Sequence, residues 1–207
     1  MRYLALLIIF SSIPFWLGWL KKSPRNLEWA ALMIGMGPFL VSFIKMDAAV
    51  HTYGGWSGHT SGASISLLDA LCLALIRVLP SRRGNNILTY CLIGYFIETL
   101  IASTQATAYT AALYYSWQIL RVLIIMVAVD KLMAYPTAPY KIVEGMAYAL
   151  MIEVVVVLYQ KATGVPRATG TFIHQNLTGY VTHFAILANF AMVMIKPKAK
   201  LHMIGVL

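Results

Sequence analysis

With 207 residues, 60% of them hydrophobic and only 11% charged, and a mean hydropathy of +0.73, the chain lies outside the soluble globular range and reads as an integral membrane protein. Its net charge of +9 does not point to nucleic acid, because the basic residues sit in short clusters at the ends of apolar runs. Cys72 and Cys91 fall inside such runs, which argues against a secreted-type disulfide framework and favours buried, small apolar side chains. Apolar segments recur along all 207 positions at close to the length of about 20 residues that crosses a bilayer. They leave no room for a separate soluble domain, so residues 1–207 are expected to form one polytopic membrane domain. The runs lack the alternating polarity of barrel strands, so a helical bundle is expected.

The first predicted span, residues 3–20, ends in Lys21-Lys22-Ser23-Pro24-Arg25. A cleaved signal carries its charge before the apolar core and ends at small residues, so this segment reads as a retained anchor. A second span covers residues 27–44, and residues 45–62 form a loop rich in Gly, Ser and His. The third, residues 63–79, stops at the turn signals of Pro80-Ser81-Arg82-Arg83-Gly84-Asn85-Asn86. The fourth spans residues 87–103. Residues 104–117 are milder, and Tyr109, Tyr114, Tyr115 and Trp117 crowd together as interfacial aromatics do. A fifth span continues through Leu132, and Pro136 and Pro139 then break the helix. Residues 142–159 make a sixth span and residues 177–195 a seventh, closed by Lys196-Pro197-Lys198-Ala199-Lys200. The expected fold is therefore an all-α polytopic bundle of about seven transmembrane helices.

Cytoplasmic loops of membrane proteins carry the excess of Lys and Arg. One set of loops holds Lys21, Lys22, Arg25, Arg82, Arg83, Lys131, Lys141, Lys196, Lys198 and Lys200, and the opposite set only Arg2, Lys45, Lys161 and Arg167. The first set is assigned to the cytoplasm. The loop carrying Arg167 then lies outside, as does the N-terminus if the spans number seven.

Between the sixth and seventh spans runs Arg167-Ala168-Thr169-Gly170-Thr171-Phe172-Ile173-His174-Gln175-Asn176. A cation, a flexible backbone, an imidazole and an amide just outside a hydrocarbon span suit an anionic headgroup, and a lipid phosphate is the first ligand to consider. The stretch, within a signature loop of residues 161–176, resembles the signature of the O-antigen ligase and polymerase family of bacterial envelope enzymes. That signature reads Arg, two residues, Gly-Thr-Phe, then Asn or His before Pro-Asn, and it opens a transmembrane helix. Here Gln175 stands where the family commonly has Pro. Ser64-Ile65-Ser66-Leu67-Leu68-Asp69 is similar to the start of an early span in the same proteins.

The resemblance implies metal-independent, inverting glycan transfer at the periplasmic face of the bacterial inner membrane. The donor is a polyprenyl-diphosphate-linked glycan, and the acceptor is lipid A core for a ligase or another glycan for a polymerase. No cofactor is implied. Family members are typically much longer, and the external loop bearing their catalytic His lies beyond the matched region. The chain is thus expected to correspond to an N-terminal half, either truncated or completed by a second half or partner subunit. The resemblance assigns the general base to that absent His, which leaves the catalytic residue unknown, with His174 a minor candidate.

A diphosphate leaving group gains negative charge as the glycosidic bond breaks, so a fixed guanidinium stabilises the transition state more than the ground state. Arg167 is the candidate for that contact, and a snorkelling interfacial cation is its plainer reading. Gly170 and Thr171 lie where backbone N–H groups can approach a phosphate, although a simple turn glycine is the better account of Gly170. Asn176 is expected to cap the seventh helix, whose positive dipole end favours an anion. His183, seven residues beyond His174, is expected to pack or make a polar interhelical contact.

Charged groups inside spans are costly and need partners. Arg121 is expected to pair with Glu98 or Glu153, or else to form a second diphosphate contact beside Arg167. Glu144 is expected near Lys141, and Asp69 to cap or pair locally. The loop from Tyr53 to His59 has a sugar-binding composition that flexible-loop chemistry also explains. Asp47, His51 and His59 lack any standard metal-ligand spacing, so no metal site is assigned. The alternative to glycan transfer is a non-enzymatic small subunit or transporter-like protein. Its polar pathway would run through Glu98, Arg121 and Glu153.

Overall fold

The computed structural model describes residues 2–40, 47–52, 62–80, 87–172, 175–195, 201 and 205. The described chain is helical apart from one short hairpin, in the order α1 (Arg2–Lys22), α2 (Pro24–Leu40), β1 (Asp47–Thr52), β2 (Gly62–Ser66), α3 (Leu67–Val78), α4 (Ile87–Thr104), α5 (Tyr109–Leu132), α6 (Ala138–Ala162) and α7 (Gln175–Ile195). It divides into two compact units. Met1–Lys22 with Asp47–Ala134 form the first, and Ser23–Met46 with Tyr135–Leu207 the second.

Five helices, α1, α4, α5, α6 and α7, have the length and apolar composition to cross a membrane. Their large apolar side chains point outward. Ser103 is the only buried residue of α4, while Ile87, Leu88, Ile101, Phe184 and Leu187 are all more than half exposed. Such a surface is stable only against lipid or another apolar surface, and the chain is a membrane-embedded helical protein. Cys91 is accordingly exposed on α4, while Cys72 is buried in α3 as expected.

Of the seven expected spans, five are membrane-length helices among the described residues. α2 is described over 17 residues up to Leu40, and α3 over 12, or about 18 Å. The expected third span begins instead as strand. Residues 62–66 pair antiparallel with residues 47–52, placing Asp47 opposite Ser66 and Ala49 opposite Ser64, with a register irregularity between Ala49 and His51. The switch from strand to helix is made by a capping box: the Ser66 hydroxyl accepts from the Asp69 N–H, and the Asp69 carboxylate accepts from the Ser66 N–H at 2.7 Å. At the other end of α3, Lys131 Nζ donates to the Ile76 and Leu79 carbonyls at 2.7 and 2.9 Å, a cation on the negative end of the helix.

The first unit buries Ile9, Ala48, Ile65 and Ala70 between α1, the hairpin and α3. In the second unit α2 and α6 run parallel. Gly35 and Gly145 are their contact, so close that a Cβ on either would run into the Ile142 or Leu32 carbonyl. Small residues allow the same close approach of helix backbones in membranes generally. Further along the pair, Phe39, Ala149, Leu150, Phe172 and Ala185 form the core, with the Phe39 and Phe172 rings 5.7 Å apart.

Candidate functional site

The loop after α6 is built from the end of that helix upward. Gly164 takes a positive φ of 79° and terminates α6 in a Schellman motif, its N–H donating to Lys161 O and that of Val165 to Gln160 O. Gln160 then turns back on the loop. Its Oε1 accepts from the Thr169 and Gly170 N–H groups at 2.9 and 2.8 Å, and its Nε2 donates to Gly170 O at 2.8 Å. One turn or more below, the buried Glu153 carboxylate accepts from the Thr171 N–H at 3.0 Å. Phe172 is inserted in the core against Phe39, and Thr178 of α7 donates to Thr169 O.

The Gly-Thr-Phe triplet therefore has three mechanical tasks. Gly170 makes the turn at φ 63°, Thr171 ties to Glu153, and Phe172 plugs the core. The Gly170 and Thr171 amides, expected to face a phosphate, are taken by Gln160 and Glu153. Arg167 is different: it is exposed, and no hydrogen bond or ion pair ties its guanidinium to another described residue. A cation is thus held on a braced loop at the mouth of two membrane-length helices. Asn176 falls within the first turn of α7 and not before it. His183 bonds its own helix, Nδ1 lying 2.6 Å from Gly179 O, and does not bridge to another. His174 and the loop from Tyr53 to His59 lie outside the described residues.

Because Gly170 sits at positive φ and a Cβ there would collide with the Glu153 carboxylate, Gly170→Ala is expected to release the loop. The expected cost is about 1–3 kcal/mol. Limited trypsin digestion checks it: cleavage after Arg167 should accelerate by about tenfold or more, since local opening governs the rate.

Arg121 lies in the first unit and Arg167 in the second. The expected Arg121 pairing with Glu98 or Glu153 is not what forms. Arg121 pairs with Asp69 at 2.8 Å, and Nε donates to the same carboxylate oxygen at 2.9 Å. Its other amino group donates to Ser64 Oγ and Gln118 Oε1, and Ser66 Oγ lies 3.3 Å from Nη2. All five guanidinium N–H directions are thereby engaged, so a phosphate at this position must displace one of these partners. Glu153 serves the Arg167 loop, and Glu98 is exposed on α4. Glu144, expected near Lys141 and solvated, pairs with it at 2.7 Å.

Two of the aromatics grouped before the fifth span bond to the hairpin. Trp117 Nε1 donates to Ser64 O at 2.6 Å, and Tyr114, buried, bonds His51 on β1. Together with Arg121 they fasten the hairpin to α5. The missed signal was the spacing: residues 114, 117, 118 and 121 recur at i, i+3, i+4 and i+7, one face of a helix. Among the described residues no group of three His, Cys, Asp or Glu comes together to hold a metal.

No protein-family model, curated protein or solved structure matches this chain.

Proposed function

We propose that this chain is a membrane component of lipid-linked glycan transfer, related to the O-antigen ligases and polymerases. In this reading Arg167 holds the diphosphate of a polyprenyl-linked donor at the periplasmic face of the bacterial inner membrane. The observation that carries the reading is the contrast within one loop: residues 169–172 are each bonded or packed in place, while the Arg167 guanidinium is left open. A preorganised cation stabilises charge that develops on a leaving group without reorganising as the bond breaks. The acceptor hydroxyl attacks the anomeric carbon, the diphosphate leaves against Arg167, and the hydroxyl proton passes to a base. By the family resemblance, that base is a His on a further external loop supplied by a second half or partner subunit. Arg121 supports the hairpin here and leaves the diphosphate to Arg167.

Geometry along α6 supports the sidedness. Its 25 residues extend about 37 Å, more than the hydrocarbon thickness of about 30 Å. Lys141 is at one end, where α2 also begins with Arg25, and the Arg167 loop is at the other. Seven crossings place the Arg167 loop opposite the basic clusters. Counting only the five membrane-length helices does the same, because α2 and α3 enter the count as a pair.

The transfer reading and the polar-pathway reading part at Arg167 and Glu98. Glu153 does not separate them, because it braces the Arg167 loop. In a strain lacking the gene, surface polysaccharide is scored after complementation with inserted variants. Arg167→Ala is expected to lower display by about 10²–10³, the usual range for removing one transition-state donor. Arg167→Lys should recover only part of it, since an ammonium lacks the bidentate fork. Glu98→Gln should leave display unchanged. Normal display with Arg167→Ala and its loss with Glu98→Gln would overturn the proposal.

A further inference from the structure

The second unit contains a cleft of about 540 Å³ between α2 and α6, with its charged mouth at the end of α6 away from the Arg167 loop. Because the two helices are parallel, their N-terminal turns meet at one end of it, with Arg25 and Glu28 from α2 and Lys141 and Glu144 from α6. Further along both helices its wall becomes apolar, with Leu32, Met36, Met151 and Ile152. Trp29 and Tyr148 lie between the two zones, where amphipathic rings sit at a membrane interface. A charged mouth opening into an apolar trough has the shape and polarity order of a lipid.

Charge pairing within the mouth selects the headgroup. Lys141 and Glu144 pair at 2.7 Å, and Glu28 acts on the same ammonium through space without a direct ion pair, while Arg25 forms no ion pair among the described residues. The mouth therefore offers one open cation and one carboxylate that no hydrogen bond or ion pair among the described residues occupies. Two helix N-termini add positive potential on the side of Arg25. We propose that the cleft binds a zwitterionic phospholipid whose headgroup ends in a primary ammonium, such as phosphatidylethanolamine. Its phosphate sits on Arg25, its ammonium donates to Glu28, and the start of its acyl chains lies along Leu32, Met36 and Met151. An anionic headgroup leaves Glu28 facing a like charge. A trimethylated headgroup has no N–H to donate to it. This site lies at the end of α6 opposite the Arg167 loop and does not rest on glycan transfer.

The test uses the full chain, purified in detergent and exposed to an equimolar mixture of phosphatidylethanolamine, phosphatidylglycerol and phosphatidylcholine with identical acyl chains. Retained lipid is read by native mass spectrometry. The ethanolamine lipid is expected to be retained roughly tenfold over the other two, the worth of one hydrogen bond to a charged group. Glu28→Gln should bring the ethanolamine and choline lipids to equal retention. Arg25→Gln should lower both, and Met151→Trp, which fills the trough, should lower all three. Equal retention by the unmodified chain, preference for phosphatidylglycerol, or retention that Met151→Trp leaves unchanged overturns the proposal. The comparison among lipids on the unmodified chain decides the matter even where a variant fails to insert.

Discussion

Asp69→Ala is expected to lower the stability of the first unit by about 3–5 kcal/mol, the cost of stripping one partner from a buried ion pair. Asp69 is 2% exposed, and its carboxylate does two jobs with one oxygen: it closes the capping box of α3 and receives Arg121. Its loss leaves the Arg121 guanidinium largely enclosed, with only hydroxyls and an amide for company. It also removes the N3 half of the capping box and leaves the Ser66 N–H without its acceptor, while Ser66 remains the N-cap. Asp69→Asn keeps an acceptor for the Ser66 N–H while losing the charge, so it should cost less than Asp69→Ala. The measurement is thermal or denaturant unfolding in detergent, run as a double-mutant cycle with Arg121→Leu. Removing both partners should cost less than the sum of the single changes, because no uncompensated charge is left behind. Strict additivity would show that the pair does not hold the unit together.

In the second unit the largest effect is expected from Gly145→Val. A Cβ at Gly145 meets the Leu32 carbonyl, which is backbone inside a helix and cannot rotate away. A branched side chain must therefore push α2 from α6, opening the packing that continues to Phe39, Ala149 and Leu150. Overpacking of an ordinary core costs about 1–3 kcal/mol, and an immovable obstacle places this case at or above the upper end. The expected result is loss of monodisperse folded protein, or a melting temperature lowered by several degrees where it survives. Gly94 on α4 is the control. Nothing lies within 4 Å of a Cβ there, so Gly94→Ala should be tolerated.

Five helices were legible as apolar runs because hydropathy is a local property and a bilayer demands it over a fixed length. The breaks at Pro136 and Pro139 were legible for the same local reason, with Ala138 and Pro139 opening α6. The stretch over residues 63–79 was misread as one span. It carries Ala63-Ser64-Ile65-Ser66, an alternation of period two, followed by the Ser66-x-x-Asp69 capping signal, but its mean hydropathy hides both. Of the site, the Arg167 loop could be picked out because it is a polar island between apolar runs. Its internal bracing could not, because Gln160 and Glu153 are seven residues or more from Arg167 and read as helix residues.

Residue order alone determined that the chain belongs in a membrane, where its five membrane-length helices lie, and which loop gathers polar chemistry. These follow from transfer free energies and backbone propensities, which each short segment carries by itself. Which charges meet was decided only in three dimensions. Arg121 was expected to pair with Glu98 or Glu153, and it took Asp69 because the hairpin and α3 bring that group to α5. Glu153 instead received the Thr171 amide, since the αL turn at Gly170 directs the loop back along α6. A buried charge is satisfied by whatever the packing places within about 3 Å, and that proximity is a property of the assembled helices.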